Sequence, residues 1–125
     1  MMILEIDTSK KKFIKVAIKK NGRFLVKKEK ETRNNQSELL LILIRDILQK
    51  KNIDLNEIDE IQVENRGDSF TSLRTGIITA NALAYILGVS IKDFKNNNKK
   101  NKEKINIVVP KYNREPNITM AKAKK

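Results

Sequence analysis

Apolar residues recur at period two near the start of the chain and at period 3.6 further on, and these rhythms outline its elements. Ile3 to Asp7 is a short apolar run that ends in the turn-forming cluster Asp7-Thr8-Ser9. From Phe13 to Ile18 the chain sets Ile14, Val16 and Ile18 against Lys15, Ala17 and Lys19, the pattern of a half-buried strand. Asn21-Gly22 is a strong hairpin signal, and Phe24, Leu25 and Val26 begin a third strand. The three runs predict an antiparallel meander with lysines left to water on one face or edge.

The rhythm then changes. Thr32 to Ser37 is polar and ends at a helix start, with Asn35 or Ser37 as N-cap. The predicted helix from Glu38 to about Lys51 places most of its leucines and isoleucines on one arc, while Leu41 and Ile42 fall outside it beside Arg45 and Asp46. Leu55 to Glu60 is a connector and Ile61 to Val63 a short strand. A second helix runs from Ser69 or Phe70 to Leu87 and stops at Gly88, a good C-terminal cap. It is apolar nearly all round, and Gly76, Ala80 and Ala84 recur every four residues on one ridge, where another helix can approach closely. Val89 to Phe94 is a last, weaker strand. The order β-β-β-α-β-α-β predicts an α/β fold: one mixed sheet with helices packed on it.

Beyond this lobe (1–94) the pattern fades. Residues 95–104 (KNNNKKNKEK) form a basic, low-complexity linker, and residues 105–125 a tail. In the tail, Ile105 to Val109 is a strand candidate and Pro110 to Thr119 is held extended by its prolines.

Composition removes several chemistries. With no cysteine and no histidine there are no disulfides, no thiolate metal site and no imidazole base, so no zinc site is expected. No run is long and apolar enough to span a membrane, and a cytoplasmic location is the default expectation. The net charge of +12 is uneven: residues 91–125 hold eleven Lys/Arg against three Asp/Glu, a net of +8. That basic tail is a candidate RNA- or phosphate-binding arm. The preferred reading is a chain-wide Lys/Asn/Ile bias, since the aromatic interleaving of single-strand binders is absent.

Three blocks resemble one family. Ile3-Leu4-Glu5-Ile6-Asp7-Thr8-Ser9 is similar to the opening strand of the TsaB (YeaZ) family, and Gln36-Ser37-Glu38-Leu39-Leu40 to its His-Ser-Glu-x-Leu helix start. Ser69-Phe70-Thr71-Ser72-Leu73-Arg74-Thr75-Gly76 resembles its most specific motif, Gly-Ser-Phe-Thr-Gly-Leu-Arg-x-Gly. Pro110, Tyr112 and Arg114 are similarly spaced to the family's Pro-x-Tyr-x-Arg segment. The resemblance covers residues 2–91 well and 109–119 in outline. It implies one lobe of the actin-like ATPase or ribonuclease H-like type, with the family's second lobe replaced here by the lysine–asparagine linker. It also implies a non-catalytic scaffold for a TsaD-like catalytic subunit, in a complex that adds threonylcarbamoyl to adenosine beside the anticodon of tRNA. Gln36 stands where the family usually has His, Ser72 replaces a motif glycine, and Glu64-Asn65-Arg66-Gly67-Asp68 lacks most of the family's loop glycines. With one lobe, half of a nucleotide cleft is missing, and no cofactor is expected.

On this resemblance the helix-bundle contact with the catalytic subunit, or with a second copy, uses Leu41, Ile42, Gly76, Ala80, Leu83, Ala84 and Leu87. A TsaE-like ATPase is a further partner, and tRNA is contacted indirectly or through the tail. The motif residues Asp7, Thr8, Ser9, Ser69, Phe70, Thr71, Leu73 and Arg74 each carry two readings. Asp7-Thr8-Ser9 is a phosphate-handling turn or an ordinary one bonding its own backbone. The Ser69 block is an anion cradle at a helix N-terminus or a cap made by Asp68 or Ser69. Arg74 meets a partner carboxylate or is solvated. The rival function is a magnesium-dependent ribonuclease H-like nuclease drawing on Asp7 and Glu64; a third acidic ligand is not evident, and Asp68 and Asp93 are the only candidates for it. A small basic RNA-binding protein is the third reading.

Overall fold

The computed structural model describes residues 1–33, 35–67, 70–94, 99–100, 106–108 and 111–112. The period-two stretches are strands: β1 (Met2–Asp7), β2 (Phe13–Lys20) and β3 (Arg23–Glu31). Then come α1 (Gln36–Lys50), a 3₁₀ turn (Leu55–Glu57), β4 (Glu60–Val63), the short β5 (Arg66–Gly67), α2 (Phe70–Leu87) and β6 (Ser90–Asp93). Two-residue strands β7 (Lys99–Lys100), β8 (Asn106–Ile107) and β9 (Lys111–Tyr112) complete the described chain.

Five strands form one mixed sheet in the order β3-β2-β1-β4-β6. The meander β1-β2-β3 is antiparallel, and β1–β4 and β4–β6 are parallel. Its hairpin turns through Asn21 (φ 53) and Gly22 (φ 82), the positive-φ pair that matches the twist of the flanking strands. β3 outlasts its apolar start: Lys27 to Glu31 stay paired with β2, and at the sheet edge their charges face water.

The core lies on one face of the sheet. Leu4 and Ile6, Ile14, Val16 and Ile18, Ile61 and Val63, and Ile91 alternate inward and are almost fully buried. Above them sit Leu40, Leu43, Ile44 and Ile47 of α1 and Leu73, Ile77, Ala80 and Ala84 of α2. The opposite face is polar and internally paired. Lys19 meets Glu5 at 3.4 Å, Lys15 meets Glu29 at 4.0 Å and Lys92 meets Glu60 at 3.3 Å. Glu60 is buried and also accepts from Gln62 Nε2 at 2.8 Å and Ser90 Oγ at 3.4 Å, so its charge keeps polar partners.

Helix ends depart slightly from expectation. α1 starts at Gln36, with Asn35 as N-cap, yet the Asn35 side chain makes no capping bond; its Oδ1 accepts from Arg33 N at 3.5 Å. α2 ends as expected at Gly88, whose φ of +68 closes the helix. The candidate caps Asp68 and Ser69 lie outside the described residues. Of the tail, Val108 joins the core, 4% exposed. Asn81 binds it in both directions, Nδ2 donating to Val108 O at 2.9 Å and Oδ1 accepting from Val108 N at 3.0 Å. Among the described residues, no helix is long and apolar enough to cross a membrane.

Candidate functional site: the motif loop and the helix face

The motif residues meet at the carboxyl ends of β1 and β4. Asp7 closes β1, and its Oδ1 accepts from Ser9 N at 2.9 Å and Ser9 Oγ at 2.6 Å, the self-bonded turn among the two readings of this segment. Thr8 is buried, and its Oγ1 donates to Ser72 O at 2.6 Å. Gln36 Nε2 donates both to Lys11 O at 3.0 Å and to Ser72 Oγ. Gln36 thus joins the β1–β2 turn, the start of α1 and the first turn of α2. Ser72, which replaces a motif glycine, accepts from Thr8 Oγ1 through its backbone carbonyl and from Gln36 Nε2 through its hydroxyl.

Gly76 is explained by the same junction. A Cβ on Gly76 would overlap the Thr8 side chain, and one on Gly67 would lie 2.7 Å from Ser9 O. The small-residue ridge of α2 therefore faces inward. Gly76 packs on Thr8, while Ala80 and Ala84 are 0% and 3% exposed in the core. The expectation that Gly76, Ala80 and Ala84 meet another chain is corrected: the close approach the small residues permit is that of the sheet and the β1 loop. Leu83 and Leu87 are partly buried against the same core.

Leu41 and Ile42, in contrast, are 54% and 41% exposed on the outer side of α1. On α2 the outer residues are Ile78 (59%), Tyr85 (72%) and Ile86 (75%), spaced seven and eight residues from Ile78 and hence on one face. Sequence reasoning missed these three. Their spacing was visible, and Arg74, one turn before Ile78, marks the same face, but a single arginine is outweighed by the ridge of small residues on the other side of α2. Of the remaining motif residues, Leu73 is fully buried, and Thr71 and Arg74 are exposed. Phe70 is the first residue of α2, and Ser69 lies outside the described residues. In the tail, Tyr112 belongs to β9, which pairs in parallel with Arg66–Gly67; Pro110 and Arg114 lie outside the described residues.

A group of carboxyls also sits at the strand ends. Glu64 has its pKa raised above the usual 4.5, first by burial, then by the charge of Asp7 and, more weakly, of Asp93; the Asn65 backbone N–H and Arg66 oppose the shift. This is the acid geometry the nuclease reading draws on. Among the described residues, however, no three acidic side chains are grouped to hold a metal ion.

Residues 29–94 match the family model described as "TsaD: tRNA N6-adenosine threonylcarbamoyltransferase". The tRNA threonylcarbamoyladenosine biosynthesis protein TsaB of Buchnera aphidicola subsp. Baizongia pistaciae is 33% identical over 89 residues, covering 71% of this chain and 38% of that protein. Among solved structures, YeaZ from Pseudomonas aeruginosa is similar with a TM-score of 0.68 at 25% identity, over 74% of this chain and 42% of that one. Thermus thermophilus RuvC is similar with a TM-score of 0.51 at 12% identity, over 75% of this chain and 63% of that one, a likeness of fold alone. The chain spans about two fifths of the length of the TsaB and YeaZ proteins it matches.

Proposed function

Since the chain belongs to the TsaB (YeaZ) family, we propose that it acts in tRNA threonylcarbamoyladenosine biosynthesis as a non-catalytic docking subunit for a TsaD-like protein. The observation that carries this reading is the exposure of Leu41, Ile42, Ile78, Tyr85 and Ile86 on two helices whose inner faces already complete a core. Apolar area of this kind gains free energy when a partner covers it. The two outer helix faces accept a second pair of helices in a bundle, at interaxial distances of roughly 8–10 Å. In this role the chain contributes surface and leaves acid, base, metal and cofactor chemistry to its partner. A TsaE-like ATPase joins through the catalytic subunit. A second copy of the chain competes for the same face, since one apolar helix surface serves a homodimer and a heterodimer alike.

Co-purification with a TsaD-like subunit tests the reading, using Leu41→Asp and Ile86→Asp. Each substitution is expected to weaken the complex at least tenfold, about 1.4 kcal/mol, and the double variant to abolish it. A complex that survives the double variant intact would sink the proposal.

A further inference from the structure

Some cations of the lobe are matched by a carboxylate or a ring, and others are not. On the open sheet face Lys15, Lys19 and Lys92 each lie within 4.0 Å of a glutamate, and Lys27 lies 4.1 Å from the centre of the Phe24 ring. Lys10, Lys11, Lys12, Lys28, Lys30 and Arg33 are exposed, and none of them has an ion-pair partner among the described residues.

The fold gathers these six at one corner. Thr32 N donates to Lys12 O at 2.7 Å, and Gln36 Nε2 to Lys11 O at 3.0 Å. The turn carrying Lys10 to Lys12 is therefore held against the end of β3 and the start of α1. Lys28 and Lys30 pair in register with the buried Val16 and Ile14, which puts them on the helix side of the sheet edge; Glu29 and Glu31 alternate to the other face. The N-terminus of α1, without a side-chain cap, adds its partial positive charge to the same corner. Glu38 in the first turn of α1 offsets one of the six charges.

We infer that this corner grips the phosphate backbone of an RNA, which is the tRNA substrate if the function proposed above holds. A concentration of unpaired cations is complementary to a polyanion and releases its counterions on binding. The segments Lys10–Lys12 and Lys28–Lys30 carry no aromatic side chain to stack on bases, so the contact positions the RNA without reading its sequence. They carry no apolar side chain to enter a lipid layer either, which favours RNA over a membrane surface.

Fluorescence anisotropy of the full chain with an unmodified tRNA transcript, over a series of salt concentrations, tests this. The variants are Lys10→Gln/Lys11→Gln/Lys12→Gln, Lys28→Gln/Lys30→Gln/Arg33→Gln and the six combined, with Lys122→Gln/Lys124→Gln/Lys125→Gln as the tail control. Each corner triple is expected to weaken binding roughly tenfold and to flatten the salt dependence by about 0.7–0.9 in log–log slope for each phosphate no longer neutralised. The tail control is expected to do less, and exchange of Lys for Arg and Arg for Lys at the six positions to preserve binding. The inference is overturned if the six-fold variant binds with unchanged affinity and slope, or if the tail control alone removes binding. It is also overturned if the wild-type chain binds phosphatidylglycerol vesicles as tightly as tRNA through the same residues. The six-fold variant should still capture the TsaD-like subunit. Failure of the wild-type chain to do so would defeat the docking proposal and leave the anisotropy result standing.

Discussion

Thr8 and Gly76 show how much one contact settles at the scale of the residue. The Thr8 hydroxyl is buried, bonded to Ser72 O, and fills the space a side chain at position 76 would need. Gly76→Ala should therefore destabilise the chain by about 1–3 kcal/mol through overpacking. In the double variant with Thr8→Ala the two costs should fall short of additive, because the overlap is gone; strict additivity in denaturant melts would refute the contact. Glu64 supplies a pH-dependent counterpart. Its carboxyl titrates above 4.5 in the folded chain, because burial and the neighbouring Asp7 and Asp93 disfavour the ionised form. The folded state then holds this proton more tightly than the unfolded chain does. That stabilisation is complete below 4.5 and is lost as the pH rises through the raised folded value. Glu64→Gln should thus melt higher than the wild type at pH 7, with the gain shrinking as the pH falls through the raised folded value and gone once it reaches 4.5; a gain independent of pH would contradict the cause assigned to the shift.

The two helices differ in how readily they could be read as elements. α1 declares its orientation, since Arg45 and Asp46 mark the polar side and Leu41 and Ile42 stand out beside them. In α2 the small residues mark a close approach without saying to what. The structure assigns that approach to the sheet and leaves Ile78, Tyr85 and Ile86 outside. A paired comparison follows. Ile86→Asp should weaken capture of a TsaD-like partner while leaving the melting temperature near that of the wild type. Ala80→Asp buries a charge at a position that is 0% exposed and should unfold the chain. Similar thermal stability for the two variants would mean that the outward face of α2 is wrongly assigned.

Across the whole molecule, both helices cover one sheet face while cross-strand ion pairs occupy the other, so the chain is a two-layer sandwich over its described residues. Asn81 links this sandwich to the chain's later part by holding Val108 through both of its backbone groups. Asn81→Ala leaves those groups without their side-chain partner and should cost about 1–3 kcal/mol, with faster hydrogen exchange at the Val108 amide. Unchanged exchange there would show that the segment is held by other contacts.

The amino-acid sequence by itself determined the strand and helix periods, the Asn21-Gly22 turn, the stop at Gly88 and the motif blocks that identify the family. These follow from steric and solvation preferences acting over a few neighbouring residues. Only the tertiary structure decided which side of α2 is buried and that Gln36 bridges Lys11 and Ser72. It likewise decided that Asp7, Glu64 and Asp93 share a field, and that the turn cations adjoin those of β3. The physical reason is strand order. Placing β1 between β2 and β4 joins residues far apart in sequence, and no local preference encodes which distant side chains the sheet will bring together.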